Sequence, residues 1–394
     1  MKIENNTFRL IEKGTFGSKS LIIGLLSLFV SIPMYFLDSG KFFFSYLTAF
    51  MFLLTLSWGA LFSVLLGHLT NAKWNLIFRR ISEVLALMFP VLAIMFIPVL
   101  FGAHDLYHWS HAEAVAHDAI LQKKAGYLNI PFFAIRAVIY FSIWHFLSLK
   151  LYKLSLEQDK NPSVDVIMKM RKVSAPGMII FALSITFASF DWLMSLEPHW
   201  YSTIYGLYVF SGSVVFIYSF LTVFAYLLRK KEVLHNVITV EHYHDLGKLL
   251  FGFIIFWGYM GFSQYFLMWY ANIPEETYWY YERWNGSWKI ITMVIVFGHF
   301  VFPFLGLLTR SAKRSIGWML FMAIWISVMH YIDLYWLAVP TFKSEGISIC
   351  YVYFTNLIGL SGIYFWYFWN KISKEPLLPV GDYRLKDSID FENV

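Results

Sequence analysis

The chain has 394 residues, of which 58% are hydrophobic, 21% aromatic and 14% charged. A water-soluble protein of this length would need more polar surface, so lipid is the expected solvent. The formal net charge of +6 follows the membrane topology read below and gives no reason to expect a nucleic-acid partner.

Residues 1–19 carry Glu4 and Glu12 and lead into an apolar run without a small-residue cleavage pattern. They read as a cytoplasmic N-terminal segment before a retained first helix. Ten predominantly apolar runs then follow, at 20–37, 42–66, 82–101, 130–150, 174–196, 203–228, 248–271, 288–308, 315–337 and 347–370. Each is long enough for a hydrocarbon core of about 30 Å. In lipid such runs must be helices, because only a helix satisfies its own backbone there. The expected fold class is an all-α integral membrane protein with ten transmembrane helices, followed by a tail at 371–394.

Lys and Arg separate when they are assigned to alternate connections between these spans. One side takes 24: Lys2, Arg9, Lys13, Lys19, Lys73, Arg79, Arg80, six from Lys150 to Lys172, Arg229, Lys230, Lys231, Lys248, Arg310, Lys313, Arg314, Lys371, Lys374, Arg384 and Lys386. The other takes only Lys41, Lys123, Lys124, Arg283, Lys289 and Lys343. The bias places both termini in the cytoplasm.

The long connection 102–129 holds His104, His108, His111 and His117 with Asp105 and Asp118. His104, His108 and His111 share a face at helical spacing, but no fixed fourth ligand completes a metal site. An amphipathic surface helix is the favoured reading. Residues 240–248, with His242, His244 and Asp245, read as a polar loop in preference to a proton entrance. Trp269, Tyr270, Tyr278, Trp279, Tyr280, Tyr281, Trp284 and Trp288 crowd the outer end of spans seven and eight. A headgroup-level aromatic belt explains them better than a docking surface.

Spans two to five and six to nine look like two copies of one four-helix unit. Asp191 is followed seven residues later by Pro198 and Asp333 by Pro340, while His145-Phe146 and His299-Phe300 occupy the third helix of each unit. The expected architecture is two four-helix bundles, 42–196 and 203–337, flanked by the first and last spans.

A carboxylate at bilayer depth costs on the order of 3 kcal/mol, so it normally faces a protein interior, a partner or a wet path. Arg136, Asp191, His330 and Asp333 fall toward the outside, His68 and His145 toward the cytoplasm, Glu83 at the cytoplasmic entrance to span three, and His299 near the middle. His, and Asp once buried, suit a proton relay. The bland alternative pairs Asp191 with Arg136, and Asp333 with His330, to make burial tolerable. Haem between His145 and His299 is disfavoured, because equivalent places in separate repeats fall in different bundles. The lone Cys350 excludes an internal disulfide, a four-thiolate cluster and a covalent haem motif. No Walker-type glycine loop or nucleophile elbow is present.

The runs 189–203 (SFDWLMSLEPHWYST) and 269–277 (WYANIPEET) resemble signatures of the ActF-type membrane subunits of bacterial alternative complex III. Those subunits belong with the NrfD-like, or polysulfide-reductase, membrane anchors. The resemblance spans essentially the whole chain. It implies a bacterial inner-membrane subunit of a quinol:electron-acceptor oxidoreductase that carries no cofactor of its own. Its partners would be haem c and iron–sulfur subunits, an NrfD-like quinol-binding sister, lipids and a terminal oxidase, with menaquinol or another quinol as the substrate of the complex. The implied roles are assembly and proton conduction. Three readings stay open: a relay through Asp191, Asp333, His145, His299, His330, Arg136 and Glu83; a structural anchor; and quinone binding at the outer face by Arg136 and Asp191.

Overall fold

The computed structural model describes residue 8 and residues 14–343, 346–347 and 350–392; Lys2, Glu4, Arg9, Glu12 and Lys13 lie outside the described residues. Every regular element among the described residues is helical. Nine helices there are long and apolar enough to cross a membrane. They are α1 (Phe16–Leu37), α2 (Ser39–Leu69), α3 (Leu76–Phe101), α4 (Ile130–Lys160), α5 (Val164–Trp192), α6 (Tyr205–Lys230), α7 (Val240–Ala271), α8 (Trp288–Gly306) and α9 (Ile316–Ala338). A further helix, α10 (Tyr351–Ile372), has 22 residues. Much of its apolar character is aromatic, from Tyr353, Tyr364, Phe365, Trp366, Phe368 and Trp369.

Two interruptions trace to proline, which lacks a backbone donor and crowds the carbonyl four residues earlier. Pro90 does this to Ala86, and α3 breaks at Leu87–Met88. Pro303 does it to His299, and α8 widens into a π-helical stretch over Ile295–Val301. Such widened turns release one carbonyl and are frequent at functional sites.

Helices α2, α3, α4 and α5 pack in succession into one ring, and α6, α7, α8 and α9 into another. The rings meet where α2 packs on α6 and α9, and α5 on α6. The α1–α10 pair leans on α2. Without a hydrophobic drive between helices in lipid, small residues set the closest approaches. A Cβ on Gly24 of α1 would come within 2.8 Å of the Gly359 carbonyl of α10, and one on Gly59 of α2 within 2.2 Å of the Ser213 carbonyl of α6.

Two expectations need correction. Residues 102–129 do not form one surface helix but the short turns Ala103–Leu106, His108–Ser110, Ala112–His117 and Ala119–Lys124. Tyr107, His111 and Asp118 are extended between them, and Asp118 restarts the helix by accepting from Ile120 and Leu121 N–H. Trp109 is buried, donating to Ser195 Oγ at 3.2 Å, and draws the segment inward. Residues 240–248 are not a loop but the opening turns of α7, with Thr239 and His242 forming a reciprocal cap.

Candidate functional site

The two carboxylates singled out by the sequence lie in the last turns of equivalent helices. Asp191 closes α5 and Asp333 lies near the end of α9, and each helix passes into a 3-10 turn, Met194–Leu196 and Val339–Thr341. Both side chains are buried, 1% and 2% exposed.

Their surroundings differ. In the first ring, Asn129 caps α4 by accepting from Phe132 N–H. That start aims Arg136, about two turns along, at α5. Arg136 Nε donates to Asp191 Oδ2 at 2.7 Å and Nη2 to Oδ1 at 3.0 Å. Tyr140 adds a hydroxyl donor to Oδ2 at 2.9 Å. The third guanidinium nitrogen donates to the Tyr127 carbonyl at 2.7 Å, and the plane rests 3.8 Å from the Tyr127 ring centre. This is a bidentate, charge-neutral pair with its donors used. Beneath it Trp58, Trp144, Trp192, Phe96 and Phe141 pack ring on ring. The polar groups of that floor are indole N–H donors: Trp144 donates to Ser184 Oγ at 2.8 Å, and those of Trp58 and Trp192 have no partner among the described residues. The bland pairing of Asp191 with Arg136 is therefore present.

In the second ring, Asp333 receives two neutral donors, the Tyr208 hydroxyl on Oδ1 and Trp257 Nε1 on Oδ2 at 3.3 Å. Among the described residues it forms no ion pair, and the pairing with His330 is not made. His330 instead places Nε2 2.9 Å from Thr55 Oγ1 of α2, so this contact crosses between the rings, and its Nδ1 has no partner. His299, on the π-helical stretch, is fully buried and neither of its ring nitrogens has a hydrogen-bond partner. Its ring centre lies 4.0 Å from Trp257 and 6.4 Å from His330. Buried polar atoms without partners are rare and mark places for water or ions. Toward the outer end, Ser202 Oγ donates to Gln264 Oε1 at 2.9 Å and Gln264 Nε2 to Tyr280 Oη at 3.0 Å.

His145 does not mirror His299. It is half-buried on α4, next to Phe146, which is 63% exposed. Glu83 lies in the opposite, arginine-rich end of the first ring, 3.4 Å from both Arg79 and Arg80. His68 is buried nearby on the last turn of α2. The His104 and His111 rings are 3.8 Å apart, and among the described residues no group of three or more His, Cys, Asp or Glu could hold a metal ion.

Sequence reading missed two arginine sites. Arg283 is 1% exposed and donates to the carbonyls of Trp336, Trp279 and Leu337 at 3.2, 3.1 and 2.9 Å. It stacks 3.4 Å from the Trp279 ring centre and so caps the C-terminal end of α9. Burial pulls it down to about 10, which leaves it charged at neutral pH. Its signal was visible: it is the one arginine among the six basic residues assigned to the outer connections. The second site is the C-terminal tail. Asp382 accepts from Arg79 Nη1 at 2.8 Å and from Arg384 Nε and Nη2 at 2.9 and 2.7 Å. Burial raises the Asp382 carboxyl, but the Arg384 hydrogen bonds and the Arg79 and Arg384 charges together outweigh it and hold the group well below the usual carboxylate range. A tail of mixed polarity gave no periodic signal for this docking.

No family model matches the chain, and no curated protein matches it either.

Proposed function

We propose that this chain is a cofactor-free membrane subunit of a bacterial quinol-oxidising respiratory complex of the alternative complex III type, and that its second ring conducts protons. In this reading α10 is the tenth crossing, both termini are cytoplasmic and the two rings are four-helix bundles. Iron–sulfur, haem c and quinol-binding partners carry the electrons.

The observation that supports conduction is Asp333: a buried carboxyl with two neutral donors, no cation, and His330 one helical turn away. Tyr208 and Trp257 can donate to the carboxylate, and a carboxylic acid at the same place needs no counter-charge. Either protonation state is therefore tolerable, which a group in a proton path requires. His330 and His299 supply exchangeable nitrogens toward the membrane centre, and Tyr280, Gln264 and Ser202 supply hydroxyl and amide groups toward the outer end. Quinol oxidation in a sister subunit supplies the energy. Replacing Asp333 by Asn in the assembled complex should lower the protons moved per electron while quinol oxidation and subunit content stay near normal. Unchanged proton stoichiometry in that variant refutes the relay.

The first ring favours the anchoring reading, because Asp191 is held by a bidentate arginine over an aromatic floor. The same closure counts against a quinone site at Arg136 and Asp191.

A further inference from the structure

At the arginine-rich end of the molecule, where α2, α6 and α7 converge, lies a cavity of about 310 Å³ that none of the roles above uses. Leu66, Trp74 and Leu249 supply its apolar wall, and Ser63, Tyr218 and Asn75 its polar groups; none of its lining residues is charged. Tyr218 is 1% exposed and Ser63 6%. Asn75 is 6% exposed, makes no capping bond to α3, and its amide forms no other hydrogen bond among the described residues. That amide lies over Gly67, where an added Cβ would come within 2.3 Å of Nδ2.

The wall holding Trp74 and Asn75 is fixed in place by the tail. Lys73 pairs with Asp387 at 2.7 Å, Ser388 Oγ donates to the Trp74 carbonyl at 3.4 Å, and Arg384 donates to Asn71. A concave, largely apolar, pre-formed space with a few convergent polar groups is the usual form of a small-molecule site, and such sites begin at about 300 Å³.

We infer that this cavity binds an amphiphile with an uncharged head: a carbonyl- or hydroxyl-bearing group against Asn75, with an apolar body along Trp74, Leu66 and Leu249. An ionised head would lose water there without a counter-charge from the lining. A free amide offers both donors and an acceptor, so it suits a carbonyl or a hydroxyl alike. Neutral acylglycerols and isoprenoid quinones share this chemistry. The site is independent of the proton-path reading.

The test uses the full chain in phospholipid nanodiscs, photolabelled with three diazirine probes of matched chain length: a monoacylglycerol, a naphthoquinone and a phosphatidic acid. Labelled peptides are read by mass spectrometry. One or both neutral probes should label residues 63–75 at least tenfold above the lipid-facing surface of α1, where Phe29 is 70% exposed. Labelling by the acylglycerol alone assigns a neutral lipid, and labelling by the quinone alone assigns a quinone. Leu249→Trp, which fills the space, should abolish the enrichment without changing labelling of α1. Asn75→Leu, which keeps the branched shape but removes the amide, should weaken it about tenfold, the worth of one buried hydrogen bond. Labelling no greater than on α1, equal labelling by phosphatidic acid, or enrichment that survives both substitutions would overturn the inference.

Discussion

Asp191 and Asp333 occupy matching places in the two rings, yet one is neutralised by an arginine fork and the other is not. In the first ring the basic partner comes from inside the bundle, Arg136 on α4. In the second the buried arginine, Arg283, lies outside the membrane-spanning helices and donates to backbone carbonyls at the end of α9, while Asp333 has only a phenol and an indole. A repeated motif thus fixes where a carboxyl sits without fixing its chemistry. The partner decides whether it is a structural tie or an exchangeable group.

The largest effect expected from breaking this contrast is at Arg136. Arg136→Leu strands a buried carboxylate, a change that typically costs about 3–5 kcal/mol. Thermal unfolding in detergent should show a large loss, and a variant as stable as the parent would mean the pair is not structural. Arg283→Lys keeps a charge but loses the planar fork on three carbonyls, at about 1–3 kcal/mol; rescue of stability by lysine would show that only the charge matters. Asp382 extends the comparison to a third carboxyl held by arginines. Its folded value lies below the unfolded one, so the stability it contributes is complete above about pH 4 and is lost as pH falls through the folded value. Limited proteolysis should find the tail protected at pH 7 and progressively cleaved below about pH 4, whereas Asp382→Asn should expose it already at neutral pH. The smallest structural effect is expected at Asp333→Asn, within about 1 kcal/mol, because no cation loses its partner. A loss there as large as at Arg136 would erase the distinction between the rings.

Much of the helical framework was legible because lipid leaves few choices. The apolar runs match α1 to α9 within a few residues at most ends, and the Asp–Pro repeat matches two helices that end in the same kind of turn. Partner choice was less legible, since it depends on side-chain direction across helices. Asp191 with Arg136 was anticipated, but His330 turning to Thr55 was not, nor was the half-exposed position of His145 against the buried His299. The surface segments were hardest to read. A single cap at Asp118 and one buried tryptophan divide 102–129 into turns, whereas Thr239 and His242 extend α7 through a stretch whose polarity suggested a loop. Tail docking rests on Arg79, which looked like a topology marker and nothing more.

The contact between His330 and Thr55 has a mechanical meaning. It is the seam's own stitch: one bond whose two ends belong to different halves of the protein. Sliding α9 along α2 by a single turn would tear it. Because the Thr55 hydroxyl donates to the Phe52 carbonyl, Nε2–H is the donor across the seam, and a further proton would go to the unpartnered Nδ1. A charge gained on α9 would thus sit one bond away from a side chain of the other half.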